Sequence, residues 1–359
     1  MDSLVGITAK NWWNLLVQNR FAIHPHYWMK AIFVTYKSFR TSIRLRREKR
    51  VYDKEISQTQ IKQDPIFILG HWRSGTTLIQ NLLLLDKQFA FPTVYQCNYP
   101  ATFLSIEPII TRIYKDYDSI ARPMDDVKVS PMSPGEEEFA LAVLTLHSPL
   151  IAWIFPRREA YYDRYLTFKD IAAEEAEQWK SAFLFYMKKL TYRYDRQLLL
   201  KSPPNTARIK LLLELFPNAK FIHIHRNPYV VFQSTQRLYE KALSNALMQR
   251  PKSNNLAQGI IKRYATMYDA YFEQRESIPA NNFMEIKFEE LEQDKIGQTA
   301  KIYQQLTING FETLLPSLTE YVASISDYKK NKHPVIEDSL RAQIATAWQR
   351  SFEEWGYEI

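Results

Sequence analysis

The sequence has few of the residues that mark several common classes of protein. It contains one cysteine, Cys97, in 359 residues, which excludes an internal disulfide framework and a cysteine-rich metal site. Its seven histidines show no H-E-x-x-H or similar spacing, so we expect no bound metal. It lacks an apolar run near the ~20 residues of a membrane-spanning helix, and it lacks a signal-peptide pattern. We therefore expect a soluble chain in a reducing, cytoplasmic compartment.

Charge and apolar content narrow the choice only in part. With 46% hydrophobic residues, the chain can bury a full core and form one large domain, alone or with a helical extension. Lys and Arg outnumber Asp and Glu by 47 to 39, which suits an anionic ligand, nucleic acid or an acidic membrane surface equally well. Only 8 residues are glycine, so the position of each glycine is informative.

Residues 10–50 combine two features. An aromatic-rich segment is followed by RTSIRLRREKR, which has six basic residues and one Glu. Such a pairing could provide peripheral contact with a membrane surface. The alternative is a pair of helices that packs its aromatic stripe on the main domain and exposes its basic face to water. Both interpretations stay open, and we assign residues 1–60 to a helical N-terminal extension.

The remainder, residues 61–359, alternates short apolar runs with helical patterns. PIFILG, QLLLK, AKFIHIH and NNFMEIKF read as buried strands, and each is followed by a helix. Alternation of this kind predicts an α/β fold with a P-loop-like, doubly wound parallel sheet that binds ligands at the carboxyl ends of its strands. Residues 90–195 interrupt the pattern, and we expect them to form a helical cap that binds the substrate.

The segment GHWRSGTT, residues 70–77, nearly matches the phosphate-binding loop G-x-x-x-x-G-K-[S/T]. Thr76 stands at the lysine position, and Arg73 lies inside the loop. In such loops the glycines let backbone N–H groups approach phosphate oxygens, and the helix N-terminus adds partial positive charge. The nucleotide-hydrolysing version also needs a strand-end acid to support Mg²⁺, which this sequence lacks. The loop therefore predicts an anion held without a metal, and an ordinary glycine turn is the alternative.

A second anion site is predicted beside the first. Arg226 ends the strand FIHIH, and Ser234 lies two helical turns further on. A lone strand-end arginine is more often a surface charge, but together with the glycine loop this pair indicates a second phosphate. Two anion sites on neighbouring strand ends suggest a nucleotide with phosphates at both ends.

Three segments, PIFILGHWRSGTT, LLLKSPPNTARI and FPNAKFIHIHRNPYVVFQS, together resemble the sulfotransferases that use 3′-phosphoadenosine 5′-phosphosulfate (PAPS). Their order, spacing and strand-turn-helix context agree over residues 65–234. The resemblance implies a 5′-phosphosulfate site on five loop residues, Arg73, Ser74, Gly75, Thr76 and Thr77. It implies that Arg226 and Ser234 hold the 3′-phosphate. The basic turn 327–333 offers Lys330, with Lys329 and Asn331, as further contacts, and a solvated loop is the alternative.

Sulfuryl transfer needs a positive group at the transferred sulfuryl and a base for the acceptor proton. Lys201, at the end of LLLK, is the predicted positive group. It resembles the lysine of a K-D-P turn in tyrosylprotein sulfotransferases, although Ser202 replaces the aspartate, and a snorkelling lysine is the alternative. The glutamate of that family falls in PTVYQCNYP, where Gln96 cannot accept a proton. His147 matches the histidine of the cytosolic family only loosely.

A better base lies in SPGEEEFALAVL, residues 133–144. This segment resembles the E-D-E-F-A-L signature of a mostly bacterial group of related sulfotransferases. Its three carboxylates could simply complement a helix dipole, but FALAVL is apolar all round and predicts a buried helix. We therefore predict Glu138, and then Glu136, as the base.

The resulting prediction is a PAPS-dependent sulfotransferase that acts by in-line displacement on a hydroxyl of a small or medium-sized acceptor. YQCNYPATF, RPMDD and SPLIAWIFP would supply apolar walls for a lipid-like, aromatic or glycosidic alcohol, although core packing is the alternative. We expect no nucleic-acid partner. The rival hypotheses are a P-loop kinase or NTPase and a non-catalytic membrane or nucleic-acid binding protein.

Overall fold

The structure is a computed structural model that describes residues 4–113, 120–121, 128–242, 246–251, 256–326 and 335–359. The chain divides into two compact units. The first, named the helical unit, comprises residues 1–62, 91–195 and 238–254. The second, named the sheet unit, comprises residues 63–90, 196–237 and 255–359. The predicted division into an extension, 1–60, and a catalytic domain, 61–359, stays a prediction.

The described residues contain seven strands: β1 Ile66–Leu69, β2 Phe89–Ala90, β3 Ile120–Ala121, β4 Lys128–Val129, β5 Gln197–Lys201, β6 Lys220–His225 and β7 Phe283–Lys287. They also contain sixteen α-helices, of which the first eight are α1 Ala9–Gln18, α2 Trp28–Gln58, α3 Thr76–Leu83, α4 Val94–Asn98, α5 Phe103–Ile113, α6 Glu137–Thr145, α7 Glu159–Asp163 and α8 Ala173–Tyr194. The other eight are α9 Ile209–Leu215, α10 Pro228–Ala242, α11 Leu256–Gln274, α12 Phe288–Gln293, α13 Lys295–Gln305, α14 Phe311–Ser324, α15 Asp338–Ala347 and α16 Gln349–Trp355.

The sheet unit contains a five-stranded parallel sheet in the order β2-β5-β1-β6-β7. The central strand β1 is apolar and buried along its whole length, as expected for a strand covered on both faces. The consecutive strands β5 and β6 lie on opposite sides of β1. Their carboxyl ends therefore diverge at a topological switch point, where open α/β sheets bind ligands.

Helices cover both faces of this sheet. Alternate strand residues such as Ile68 and Ile222 join a core with side chains of α3, α13 and α14. The intervening residues face the other way, where Phe67 stacks on Phe221 and His223 stacks on Tyr271 of α11. The predicted doubly wound, P-loop-like α/β fold is confirmed. Helix α10 begins at Pro228, as predicted from its missing N–H.

The helical unit is built around α1, α2 and α4 to α8, with a short antiparallel pair of β3 and β4. Its core includes side chains of α1, α2, α6 and the 3₁₀ turn Pro149–Trp153. Helix α6 is apolar on nearly all sides and buried, as its sequence predicted. Residues 90–195 therefore fold as predominantly helical structure.

The N-terminal helices do not pack most of their aromatic side chains inward, as one of the two interpretations of residues 10–50 expected. Trp12 is buried, but most of the aromatic side chains are not, since Trp13, Trp28, Tyr36 and Phe39 are each more than half exposed to solvent. The expectation that the aromatic stripe packs inward is therefore wrong for these residues. In the part of the chain that the structure describes, no helix has the length and apolar character needed to cross a bilayer.

Candidate active site

The glycine loop, residues 70–77, follows β1 at the carboxyl edge of the sheet, and hydrogen bonds to neighbouring elements hold its backbone. The Gly70 amide donates to Thr206 Oγ1 over 2.8 Å. The His71 amide donates to the hydroxyl of Tyr268 over 3.1 Å. The Ser74 amide donates to the His71 carbonyl oxygen. These hydrogen bonds fix the backbone conformation of the loop.

Three loop residues adopt left-handed backbone angles. Gly70 has φ 143°, Arg73 φ 73° and Gly75 φ 108°. A side chain at Gly75 would collide with Phe288, because an added Cβ would lie 2.3 Å from its ring. The left-handed conformation is costly for arginine, by about 1–2 kcal/mol, and such strain clusters at functional sites. The left-handed backbone at residues 70 and 75 therefore requires glycine. Arg73 adopts a backbone conformation that arginine disfavours.

The start of α3 has the features of an anion site. Gly75 is its N-cap and provides no side-chain cap, and the amides of a first helical turn have no partner within the helix. Thr76 and Thr77 form that first turn. Ser74 is fully buried, and its Oγ has no hydrogen-bond partner among the described residues. A buried hydroxyl without a partner is costly, so Ser74 fits a phosphate or sulfate oxygen at this position.

Arg73, Arg226 and Ser234, which we name the arginine cluster, come together beside the loop. Arg73 Nε donates to Ser234 Oγ over 2.9 Å. Arg226 Nη1 lies 3.5 Å from the Arg73 carbonyl oxygen. The three side chains come from the loop, the end of β6 and α10. From the sequence, Arg73 was predicted to bind the 5′-phosphosulfate, and Arg226 and Ser234 the 3′-phosphate. In the structure these three residues form one connected group.

Arg226 is held in a partly buried environment. Its guanidinium lies 4.1 Å from the centre of the Phe288 ring. Burial lowers the pKa of Arg226, while the carboxylates of Glu289 and Glu292 oppose that shift. Arginine nevertheless stays protonated at physiological pH. A buried positive charge of this kind is stabilised by an anion, which supports a phosphate ligand.

Lys201 ends β5 and is almost fully buried. Its position is opposite Ile68 in the register of β5 and β1, so it lies on the strand next to the loop as predicted. The predicted contacts Lys329, Lys330 and Asn331 lie outside the described residues. Among the described residues, no group of three or more His, Cys, Asp or Glu side chains could hold a metal ion.

The candidate bases lie in the helical unit. Glu136 is the N-cap of α6 and makes no side-chain capping bond. Glu138 is fully buried in the first turn of α6, and Ser148 Oγ donates to its Oε1 over 2.6 Å. Ser148 in turn caps the 3₁₀ turn Pro149–Trp153. The Glu138 carboxylate is therefore oriented by a second side chain, as a base must be.

The residues at the positions of the base in two other sulfotransferase families, Gln96 and His147, have structural roles. Gln96 forms a capping box with Thr93 at the start of α4. His147 stacks on Tyr165 with ring centres 4.9 Å apart, and burial lowers its pKa. His147 also lines a cavity of about 650 Å³ whose other walls come mainly from polar side chains of α1 and α8. These contacts account for the presence of Gln96 and His147 at their positions, and neither residue needs a catalytic role.

The predicted acceptor walls are mostly part of the core. Tyr95, Phe103, Ile151 and Phe155 are buried, and the segment SPLIAWIFP contributes to the core of the helical unit. The segment RPMDD lies outside the described residues. The core-packing alternative therefore holds for most of the described side chains in these segments.

Sequence reasoning missed the residues that hold the loop in place. Thr206 and Tyr268 accept its backbone amides, and Phe288 packs between Gly75 and Arg226. Glu289 accepts the Asn227 amide after β6 over 3.1 Å. Phe288 ends the segment NNFMEIKF, which was predicted to be a strand, and Thr206 lies in the segment LLLKSPPNTARI, but neither segment indicated a contact with the loop. Tyr268 had no signal in the sequence.

A family model described as "Sulfotransferase family" matches residues 65–312. The omega-hydroxy-beta-dihydromenaquinone-9 sulfotransferase Stf3 of Mycobacterium bovis and that of Mycobacterium tuberculosis are each 35% identical to this chain. These alignments cover 99% of this chain and 91% of the relatives.

Solved structures have a similar fold. The sulfotransferase STF1 of Mycobacterium tuberculosis matches with a TM-score of 0.67 at 14% identity, over 94% of this chain and 92% of its own. STF9 of Mycobacterium avium matches with a TM-score of 0.65 at 18% identity, over 89% of this chain and 83% of its own. The matches do not support the rival hypotheses of a kinase or a non-catalytic binding protein.

Proposed function

The chain belongs to the sulfotransferase family, and we propose that its donor is PAPS, held by the glycine loop and the arginine cluster of the sheet unit. The arginine cluster is the observation that carries this proposal. A strained loop with a buried, unpartnered Ser74 hydroxyl needs an anion, and the two arginines beside it supply positive charge. The donor brings a sulfuryl group attached to a phosphate.

We assign separate tasks to the residues around the donor. Ser74 Oγ and the first-turn amides of α3 would hold the 5′-phosphosulfate, because they converge at the loop. Arg226 and Ser234 would hold the 3′-phosphate. Arg73 donates a hydrogen bond to Ser234 and would stabilise negative charge on the phosphosulfate next to the loop. Lys201, which occupies the neighbouring strand end, is the second candidate for that stabilisation.

Glu138 is the proposed base that removes the acceptor proton, and Glu136 is the second choice. Glu138 is buried, and it is oriented by Ser148, which suits a positioned proton acceptor. Glu136 lacks a capping role at the start of α6. Lys330 remains the proposed further contact to the 3′-phosphate.

The acceptor is proposed to be the terminal hydroxyl of a prenylated, lipid-like molecule. Support comes from the mycobacterial relatives, which are sulfotransferases of omega-hydroxy-beta-dihydromenaquinone-9. The similarity covers nearly all of this chain, so it includes the helical unit as well as the donor-binding loop. We also propose peripheral membrane contact through residues 10–50, since a membrane is where such an acceptor would be found.

The proposal can be tested with adenosine 3′,5′-bisphosphate in the presence of EDTA. A ligand that binds the native state at 100 times its Kd adds about 2.7 kcal/mol of stability, so we expect the melting temperature to rise by a few degrees. The variant Arg226→Ala should lose most of this shift, and the matched variant Arg350→Ala, on the surface of α16, should keep it. A wild-type protein without a shift at saturation would refute the donor assignment.

The acceptor proposal needs its own measurement. The enzyme is incubated with PAPS and an omega-hydroxy prenylated quinone, and the product is analysed for the mass of one added SO₃. The same quinone without the terminal hydroxyl is the control. Transfer to a glycosidic or phenolic hydroxyl alone would move the acceptor to another chemical class.

A further inference from the structure

Helix α2 is unusual because its outward face is more apolar than its inward face. Seven large apolar residues at its exposed surface form what we name the apolar stripe: Trp28, Met29, Ile32, Phe33, Tyr36, Phe39 and Ile43. Their spacing places them on one side of a helix with 3.6 residues per turn. The stripe is about 22 Å long at 1.5 Å per residue. Isolated exposed apolar residues are ordinary, but a contiguous patch of this size marks an interaction site.

The opposite side of α2 is buried and carries polar residues. Val34 shares this side with Ser38, Thr41 and Glu48, all of which are nearly inaccessible to solvent. Glu48 is paired with the buried Lys189 of α8 at 2.5 Å. A helix in water normally turns its apolar side inward, so the arrangement of α2 is the reverse of the usual one.

Hydrogen bonds within the helical unit prevent α2 from rotating to bury the stripe. Trp12 Nε1 donates to Thr35 Oγ1 over 2.8 Å, and the Ala9 amide donates to Ser42 Oγ over 2.9 Å. The Ser105 amide donates to Glu48 Oε2 over 2.9 Å. Breaking these bonds would leave buried polar groups unsatisfied, which is costly. The stripe is therefore held outward by the fold.

From residue 28 to residue 52 the exposed charges along α2 are all positive, and the exposed acids Asp53 and Glu55 follow only near its C-terminal end. Residues 28–52 contain eight Lys or Arg and one acid, and that acid is the buried, paired Glu48. Lys37 lies over the ring of Phe33 and Arg40 over the ring of Tyr36. Beyond Ile43 the same face of the helix continues with three arginines, Arg46, Arg47 and Arg50, which are exposed.

We propose that α2 docks on an anionic lipid bilayer, with the apolar stripe inserted at the interface and the arginines on the lipid phosphates. Aromatic residues next to Lys and Arg are typical of helices that lie in the plane of a membrane interface. The positive charge along residues 28–52 distinguishes this surface from that of a second copy of the chain, which would repel it. Trp13 and Phe21 of the α1 region, whose rings contact each other, are also exposed.

The inference rests on the proposed function in one respect, since a bilayer is the source of a prenylated acceptor. Its evidence is otherwise independent of catalysis. The experiment is therefore flotation of the full chain with vesicles, which requires no turnover. Vesicles of phosphatidylcholine with about one third phosphatidylglycerol are compared with vesicles of phosphatidylcholine alone.

Wild-type protein should float with the anionic vesicles and bind neutral vesicles far more weakly. The stripe variant Ile32→Gln with Ile43→Gln should lose at least tenfold in partitioning, because binding scales with the apolar area inserted. The matched control, Val335→Gln with Ile359→Gln, makes a similar chemical change at two exposed residues of the sheet unit and should float like wild type. The variant Arg46→Gln with Arg47→Gln and Arg50→Gln should lose on the order of a hundredfold, on anionic vesicles only.

Absence of wild-type flotation overturns the membrane proposal, and so does equal loss in the stripe variant and its control. A wild-type dimer that becomes a monomer in the stripe variant, without flotation, would identify the stripe as a self-association surface instead. Folding of each variant is checked by circular dichroism and by the nucleotide-induced melting shift. A normal shift without flotation overturns only the membrane proposal, and flotation without a shift overturns only the donor proposal.

Discussion

The two compact units bury charges of opposite sign. Among the described residues, all four buried acids belong to the helical unit: Glu48, Glu107, Glu137 and Glu138. The sheet unit buries Lys201, Arg208 and Arg263 and no acid that the structure describes. Lys189 is the exception, a buried cation of the helical unit that is paired with Glu48. A unit that buries cations suits an anionic donor, and a unit that buries carboxylates can supply a base.

The units also differ in how they position these groups. In the sheet unit the strand ends bring Lys201, Arg226 and the glycine loop to one edge, because the strands are parallel. In the helical unit three of the four buried acids, Glu48, Glu107 and Glu138, are held by individual side chains of other segments. Glu107, for example, accepts hydrogen bonds from Arg193 at 3.0 Å and Gln96 at 3.1 Å. In a parallel sheet the strand ends meet at one edge, so the strand order alone brings the ligand-binding residues together. In the helical unit each polar group depends on its own side-chain contacts.

The largest effect that would test this contrast is expected for Glu138→Gln. Removing a general base lowers turnover by about 10²–10⁴-fold. Glutamine keeps an oxygen that can accept the Ser148 hydrogen bond, so the fold should be retained. We expect sulfuryl transfer to be lost while adenosine 3′,5′-bisphosphate still raises the melting temperature.

Glu107→Gln is the matched control, because it neutralises another buried acid of the same unit. It should keep most of the turnover, although the loss of the Arg193 interaction will lower stability. Full turnover in Glu138→Gln together with loss in Glu136→Gln would move the base to Glu136. Full turnover in both would remove α6 from proton transfer.

An intermediate effect is expected for Gly75→Ala in the sheet unit. The new Cβ would lie 2.3 Å from Phe288 in a backbone with φ 108°. Overpacking costs about 1–3 kcal/mol and the left-handed backbone about 1–2 kcal/mol. The free energy of unfolding in urea should fall by about 2–5 kcal/mol, with loss of nucleotide binding.

Gly356→Ala separates the two costs. Gly356 has φ 63°, and an added Cβ would meet nothing within 4 Å. This variant therefore carries the backbone cost alone and should lose about 1–2 kcal/mol. Equal losses in the two variants would mean that Phe288 does not confine the loop.

The smallest effect concerns pH and the buried histidines of the sheet unit. Burial lowers the pKa of His71 from 6.5 to about 4. As pH falls below 6.5 the unfolded chain binds a proton before the folded chain, so stability declines until pH reaches about 4. One such group lowers the free energy of unfolding by about 2 kcal/mol between pH 7 and pH 5. His225 acts in the same direction, because burial and the neighbouring His223 lower its pKa to about 3.

Urea unfolding at several pH values tests this expectation. His71→Asn should reduce the pH dependence by about half, whatever it does to stability at pH 7. His26→Asn, at an exposed histidine of the helical unit, is the control and should leave the pH dependence unchanged. Equal pH dependence in wild type and His71→Asn would show that His71 does not stay neutral in the fold.

Much of the proposed donor site could be predicted from the sequence, because the patterns that indicate it involve residues close together in the chain. The run Ile66–Leu69 is apolar and short, and the glycines after it mark a turn into a helix. The contacts of Thr206 and Tyr268 with the glycine loop could not be predicted. Both residues are distant from the loop in sequence, and neither residue type by itself indicates such a contact. The sequence also left open whether the proposed acceptor walls line a pocket, since an apolar pattern does not distinguish a pocket from a core.

The N-terminal helices show most clearly where sequence is insufficient. Composition alone indicated two helices with aromatic and basic residues, and it left both membrane contact and inward packing open. Tertiary structure decided which side of α2 faces outward, because the buried side must satisfy Glu48, Ser42 and Thr35 with partners from other parts of the unit. Local pattern determined the strands, the glycine loop and the family, since these depend on neighbouring residues. The orientation of α2 and the arginine cluster depend on contacts between distant residues, which only the folded chain brings together.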